Sequence, residues 1–206
     1  MPRIEAVVFD VGETLVDESR AWAELAVRAG LTPFTVMGAL GAVIERGEHH
    51  RRVWDVVGVE PPTDLPSIES VDLYPDSLSC LRAVRAAGLI VGVAGNQPAA
   101  AQQQLLAAGF EADFIASSAA WGVEKPSGAF FDRVIEAAGR PASSILYVGD
   151  RVDNDVLPAR AAGLRTAFIR RGPWGFIHAQ LPEADLADLR IESLDELLPA
   201  IERMHE

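Results

Sequence analysis

Asp10, Lys125, Asp150 and Asp155, with the Gly95-Asn96 turn, are the residues of this sequence whose types and positions could do chemistry together. Asp10 ends the apolar run Ala6 to Phe9, and Gly12 and Thr14 turn the chain back at once. Gly95-Asn96 ends a second apolar run, and Gly149-Asp150 ends a third, with Asp155 five residues on. A fully buried parallel strand reads as such a run, and open α/β sheets bind ligands beyond the carboxyl ends of their strands. Carboxylates sharing one crevice repel one another and rise in pKa unless a cation or a lysine neutralises them. Oxygen-only ligands suit Mg²⁺, which is held through one or two carboxylates, waters and a substrate phosphate. Loops opening helices at Gln97 and near Asp155 would offer free N–H groups to an anion, and Lys125 a compact positive charge. The residues alone therefore read as a Mg²⁺-dependent phosphate site. Each also has a plain structural reading: a turn for Asp10, a helix cap for Asp150 and Asn96, and a favourable first-turn charge for Asp155.

The elements that must position these groups follow from periodicity. Between Leu15 and Tyr74 the pattern is helical. Glu18–Arg28 places Trp22, Leu25 and Ala26 on one face, and a second helix opens at Thr32-Pro33 with Val36, Leu40, Val43 and Ile44 as its stripe. A third spans about His49 to Val57, and residues 59–72 hold Pro61, Pro62 and Pro66 and return as a loop. From Tyr74 onward, short apolar runs alternate with helices closed by Gly88, Gly109, Gly139 and Gly163. That alternation predicts βαβ units and a doubly wound parallel sheet, an α/β fold with right-handed crossovers. Arg170 to Gly175 reads as a loop with Trp174 at the edge of the crevice, and a capped last helix opens at Ser193. The domains predicted are an α/β core of residues 1–15 and 73–206 and a small all-helical insert of residues 16–72.

Composition narrows the function classes. Net charge is −12 and the pI about 4.7, a field that repels polyanions, so no nucleic-acid partner is expected. No apolar stretch approaches the ~20 residues of a membrane span, and the N-terminus lacks the pattern of a secretory signal. A single cysteine, Cys80, among helical Leu78 and Leu81, reads as a small core hydrophobe and suits a reducing compartment, so a cytoplasmic location is expected. Of 18 basic residues only Lys125 is a lysine, which singles it out for what an ammonium does and a guanidinium cannot. The basic stretch His49-His50-Arg51-Arg52 reads as a solvated helix face or as a substrate reader.

Phe9-Asp10-Val11-Gly12-Glu13-Thr14-Leu15, Gly95-Asn96, Lys125-Pro126 and Gly149-Asp150-Arg151-Val152-Asp153-Asn154-Asp155 resemble the four ordered motifs of the haloacid dehalogenase-like (HAD) hydrolase superfamily. Tyr74-Pro75 and Ala161-Ala162-Gly163 also stand where that family puts such residues. The resemblance implies a Rossmann-like core with a helical cap after the first motif, and residues 16–72 fit that cap. It implies Asp10 as the nucleophile that forms an aspartyl-phosphate. It implies Mg²⁺ held by Asp10, the Gly12 carbonyl and Asp150, with Asp155 steadying the metal site. Lys125 would hold the nucleophile and, with Gly95 and Asn96, the phosphoryl group. Two positions depart from the pattern. Gly12 stands where the family's phosphatases place a second Asp, as acid and base, a role worth about 10²–10⁴-fold. Gly95 stands where a Ser or Thr hydroxyl is usual. The adjacent Glu13 is one substitute for the missing acid, although successive residues of an extended stretch point to opposite sides.

The function expected is a phosphatase acting on a small phosphorylated metabolite through an aspartyl-phosphate, weakened or specialised by Gly12. Two other readings share these residues. A phospholigand-binding or assembly protein would keep the pocket without turnover. A 2-haloacid dehalogenase would use the same nucleophile without metal, against which the acidic cluster at 150–155 argues. The absence of lysine from residues 16–72 speaks against a Schiff-base mechanism in the cap.

Overall fold

The structure is a computed structural model and describes residues 2–205. Six parallel strands form one sheet: β1 Ala6–Phe9, β2 Ile90–Gly95, β3 Phe114–Ser117, β4 Ile145–Gly149, β5 Arg165–Ile169 and β6 Leu189–Ile191. Their order is β3-β2-β1-β4-β5-β6, the doubly wound arrangement the alternation predicts. Phe9 lies opposite both Val93 of β2 and Val148 of β4, so Asp10, Gly95 and Gly149-Asp150 leave the sheet side by side. All four β1 residues are buried. Val7 and Phe9 pack with Leu81, Leu105 and Ile201 on one face, while Ala6 and Val8 pack with Phe130, Phe131 and Tyr147 on the other. Burying each large side chain contributes about 1.5–3 kcal/mol, so these strand ends are among the least movable points of the molecule.

Three helices follow β1: α1 Ser19–Arg28, α2 Pro33–Glu45 and α3 Arg52–Val57. The Thr32 side chain accepts from the Thr35 N–H, and Val36, Leu40, Val43 and Ile44 are the buried residues of α2, as the stripe predicts. With Trp22, Leu25, Ala26, Val53 and Trp54 they form an apolar cluster separate from the two sheet faces. Two chain crossings join these helices to the sheet. Val16 bridges Leu73, the Asp17 N–H donates to the Asp72 carbonyl, and the Tyr74 N–H donates to the Leu15 carbonyl. The Arg20 guanidinium clamps both oxygens of buried Asp72, at 2.7 and 2.6 Å. No helix among the described residues is long and apolar enough by itself to cross a membrane; α1 and α2 pass only as a pair, bent by 113°.

The remaining helices cover the sheet: α4 Ser77–Ala86, α5 Ala101–Ala107, α6 Ser118–Trp121, α7 Gly128–Ala138, α8 Leu157–Ala161, α9 Gly172–His178 and α10 Leu197–Met204. Three local expectations are corrected. The segment from Arg170 to Gly175 is not wholly loop: α9 starts at Gly172 with Pro173 in its first turn, where proline costs nothing, and buries Trp174 in the cluster of the first three helices. The helix after β2 begins at Ala101, not Gln97, and has no side-chain cap. The segment after β4 is a π turn, Val152–Val156, before α8 begins at Leu157.

Candidate active site

Asp10 is carried just past β1, buried to 7% exposure, and its N–H donates to the Val148 carbonyl at 2.9 Å. Lys125 lies between two carboxylates, 2.7 Å from Asp10 Oδ1 and 2.6 Å from Asp155 Oδ1, and is itself buried. Burial opposes its charge, but Asp10 and Asp155 hold the ammonium well above the ordinary lysine range. The rings of Tyr147 and Phe130 stand 5.5 and 6.0 Å away, closing the other side of the ammonium. The unique lysine is thus a buried bridge between the ends of two motifs.

Asp150 and Asp155 complete the cluster. One oxygen from each of Asp10, Asp150 and Asp155 lies within 4.8 Å of the others. Asp155 is committed on both sides: Oδ1 accepts from Lys125, and Oδ2 accepts from the Arg151 N–H at 3.0 Å. Gly149 makes room for it, since a Cβ there would meet Asp155 Oδ2 at 2.3 Å and its Cβ at 2.6 Å. Asp150 is different. It is 1% exposed and its Oδ2 has no hydrogen-bond partner among the described residues. Burial first, then the nearby Asp155 and Asp10, push its carboxyl well above the usual range. Asp155 is likewise pushed up by burial, to about 6, with Lys125 opposing.

The turn after β2 has another task than its sequence suggests. Asn96 Oδ1 accepts from the Lys125 N–H at 2.8 Å, and Asn96 Nδ2 donates to the Lys125 carbonyl at 2.9 Å. Its side chain is thereby spent on holding the lysine's backbone, leaving only main-chain groups for an anion. At Gly95 a Cβ would stand 2.3 Å from Asp10 Oδ1, so the missing side chain lets the Asp10 carboxylate lie against β2.

Glu13 does not take the place of an acid at position 12. Its Oε1 accepts from the Glu18 N–H at 3.0 Å and its Oε2 from the Tyr74 hydroxyl at 2.6 Å. It adopts φ +52°, the left-handed region, and lies so close to Gly172 that a Cβ there would approach its Oε2 to 2.2 Å. It ties both chain crossings to the start of α9. Burial raises its carboxyl, with Tyr74 opposing. The group that does reach position 12 is Glu18, the residue capping α1: a Cβ on Gly12 would meet Glu18 Oε1 at 2.4 Å. Burial, then Glu13 and Asp10, push Glu18 up to about 7. In sequence, Glu18 reads only as the start of a helix.

From Glu18 an aromatic wall runs outward. Trp22 Nε1 donates to Glu18 Oε2 at 3.4 Å, His50 meets Trp22 and Trp174 edge-on at 6.4 and 6.2 Å, and Arg151 lies over Trp174 at 5.2 Å. Arg151 is held by Asp153 through two hydrogen bonds.

The family model of haloacid dehalogenase-like hydrolases matches residues 4–163, more than three-quarters of the chain. The chain belongs to this family. A glyceraldehyde 3-phosphate phosphatase from Methanopyrus kandleri is 28% identical to this hydrolase over 98% of both chains, and one from Methanocaldococcus jannaschii is 26% identical over the same share. The fold is shared with an L-2-haloacid dehalogenase from Xanthobacter autotrophicus (TM-score 0.72, 20% identity, 97% and 99% coverage). It is also shared with a HAD phosphatase from Thermococcus onnurineus (TM-score 0.62, 20% identity, 95% and 97% coverage). Two chemistries on one fold leave the choice to the site. In this hydrolase the buried, unpartnered Asp150 oxygen beside two further carboxylates is a donor set that a hard divalent cation would satisfy.

Proposed function

We propose that this hydrolase is a phosphatase that acts on a small phosphorylated metabolite through an aspartyl-phosphate on Asp10. The observation that carries the reading is Asp10 itself, rigidly placed beyond the central strand, with the Lys125 ammonium 2.7 Å from one oxygen. An Asp10 oxygen attacks phosphorus, the bond to the leaving oxygen breaks, and that oxygen departs with the electron pair. Water then attacks phosphorus, the bond to Asp10 breaks, and inorganic phosphate leaves. Lys125 orients Asp10 and offsets charge on the phosphoryl oxygens, with the main-chain amides of Gly95 and Asn96 as further donors. Asp10, the Gly12 carbonyl and Asp150 would hold Mg²⁺, with Asp155 beside them fixing Lys125. Such an ion would supply electrostatic stabilisation of the phosphoryl charge.

Residues 16–72 serve as the cap that covers the site and selects the substrate, hinged at the paired crossings near Val16 and Leu73. The wall that its Trp22 and His50 form with Trp174 and the Arg151 guanidinium of the sheet domain suits a small anionic substrate better than a polymer. The names of the two archaeal relatives support a phosphorylated metabolite of this size. A panel of small phosphate esters, assayed with and without Mg²⁺ on the parent and on Asp10→Asn, tests the reading. Turnover that needs Mg²⁺ and vanishes in Asp10→Asn is expected; turnover surviving the substitution would remove the covalent route.

A further inference from the structure

Phosphoryl transfer to Asp10 leaves an alkoxide on the departing group, which needs a proton, and the water that follows must lose one. The carboxyl groups around Asp10 can be taken in turn. Asp155 is spent on Lys125 and the Arg151 N–H. Asp150 lies at the buried metal side. Glu13 is spent on Tyr74 and the Glu18 N–H. Glu18 remains: its only partner among the described residues is the long bond from Trp22 Nε1 to Oε2, and its Oε1 accepts nothing. That Oε1 stands 2.4 Å from where a Gly12 Cβ would be, in the space that a side chain at position 12 would fill.

Resting on the phosphatase reading above, we propose that Glu18 is the catalytic acid and base of this chain, delivered into the site from the N-cap position of α1, near the start of the cap, rather than from the strand-end loop. The missing side chain at Gly12 is what admits it. The Glu18 carboxyl gives its proton to the leaving oxygen as the bond from phosphorus breaks. The resulting carboxylate takes a proton from the water that attacks the aspartyl-phosphate, which restores the starting state. Because Glu18 stands at the N-cap position of α1 with its side chain free of any cap bond, this proton donor moves with the cap, and an open cap withdraws it.

The test uses the full chain with Mg²⁺ and compares the parent, Glu18→Gln, Glu18→Ala, Gly12→Asp/Glu18→Ala and Asp10→Asn. On p-nitrophenyl phosphate, whose leaving group needs no proton, Glu18→Gln should still release a stoichiometric burst and accumulate phosphoenzyme, seen by mass spectrometry. Its steady-state turnover should fall by about 100-fold or more. On glycerol phosphate the burst should vanish as well. Gly12→Asp/Glu18→Ala should recover at least about tenfold over Glu18→Ala, because an Asp at position 12 then occupies the vacated space. Mg²⁺-dependent binding of fluoroberyllate, read by tryptophan fluorescence, should be retained in every Glu18 variant, which separates a lost proton transfer from a collapsed site. A smaller loss in Glu18→Gln, loss of its burst on the nitrophenyl ester, loss of fluoroberyllate binding, or no recovery in the double variant overturns the assignment. Asp10→Asn must abolish the burst; a burst there would overturn the phosphatase reading instead.

Discussion

The two regions of this hydrolase place their candidate functional groups by opposite means. In the sheet domain, Asp10, Asp150 and Lys125 are fixed by buried strands and by one another: β1 has no exposed residue, Lys125 spans two carboxylates, and Asn96 grips the lysine's backbone on both sides. In the helical insert, Glu18, Trp22 and His50 are set by three short helices with their own apolar cluster, joined to the sheet by two crossings and the Arg20–Asp72 clamp. The difference teaches a division of labour. Groups that hold charge at fixed positions sit in the buried sheet layer, while the groups proposed to meet a leaving group or select a substrate sit in the helical insert, which has an apolar cluster of its own.

The sharpest way to break this comparison is at Lys125. Lys125→Met leaves Asp10 and Asp155 buried without their cation, and Lys125→Arg asks a planar fork to fit a space bounded by Tyr147 and Phe130. Both should lose about 10²–10³-fold in kcat, and Met should also destabilise the fold by about 3–5 kcal/mol in the absence of Mg²⁺. Urea unfolding with and without the ion checks this, and an unaltered midpoint would mean the rigid layer does not depend on the bridge. Gly149→Ala comes next. Its Cβ collides with the whole Asp155 side chain, so a loss of about 1–3 kcal/mol is expected, together with weakened Mg²⁺ affinity by calorimetry.

The helical insert should respond more mildly. Arg20 holds the Asp72 carboxyl below its ordinary value of 3.8, so that pair contributes stability that is present above pH 3.8 and fades as pH falls through the lower folded value. Arg20 is about one-third exposed (31%), so Asp72→Asn should cost only about 1 kcal/mol, or roughly 2–4 °C in Tm, and flatten the acid limb below pH 4. Differential scanning calorimetry across pH 3–7 would reveal it. The smallest effect expected is at His50, where burial, with His49 and Arg151, pushes the imidazole down to about 4. A base kept neutral in this way contributes stability above pH 6.5 that is lost as pH falls from 6.5 towards 4. His50→Gln should remove that slope while leaving Tm near pH 7, where the imidazole is neutral folded or unfolded, almost unchanged.

Much of the rigid layer is legible in sequence because it obeys local rules. Apolar runs halted by a polar residue give β1, β2 and β4 nearly to the residue, and the stripe of α2 is read completely. What escapes is set by distant contacts. The helix α9 looks like a loop from Gly172, Pro173 and Gly175, and it forms because Trp174 enters a cluster built by residues more than a hundred positions earlier. Asn96 resembles an anion contact, yet its partner is the backbone of Lys125, twenty-nine residues on. Glu18 carries no local mark of chemistry. The role proposed for it rests on a placement seen only once the chain from Gly12 to Val16 folds and brings Glu18 into the space a side chain at position 12 would fill. A glycine in a motif followed closely by an acid at a helix start is the one signal that could have found it.

The central claim is that Asp10, held at the end of the central strand and gripped by Lys125, carries the phosphoryl group. Quenching the parent during turnover of an aryl phosphate with Mg²⁺, followed by peptide mass spectrometry, reads this directly. The account predicts a phosphoryl group on the peptide containing Asp10 and none in Asp10→Asn. Turnover with that peptide unmodified, or a phosphoryl group on another side chain, would contradict it.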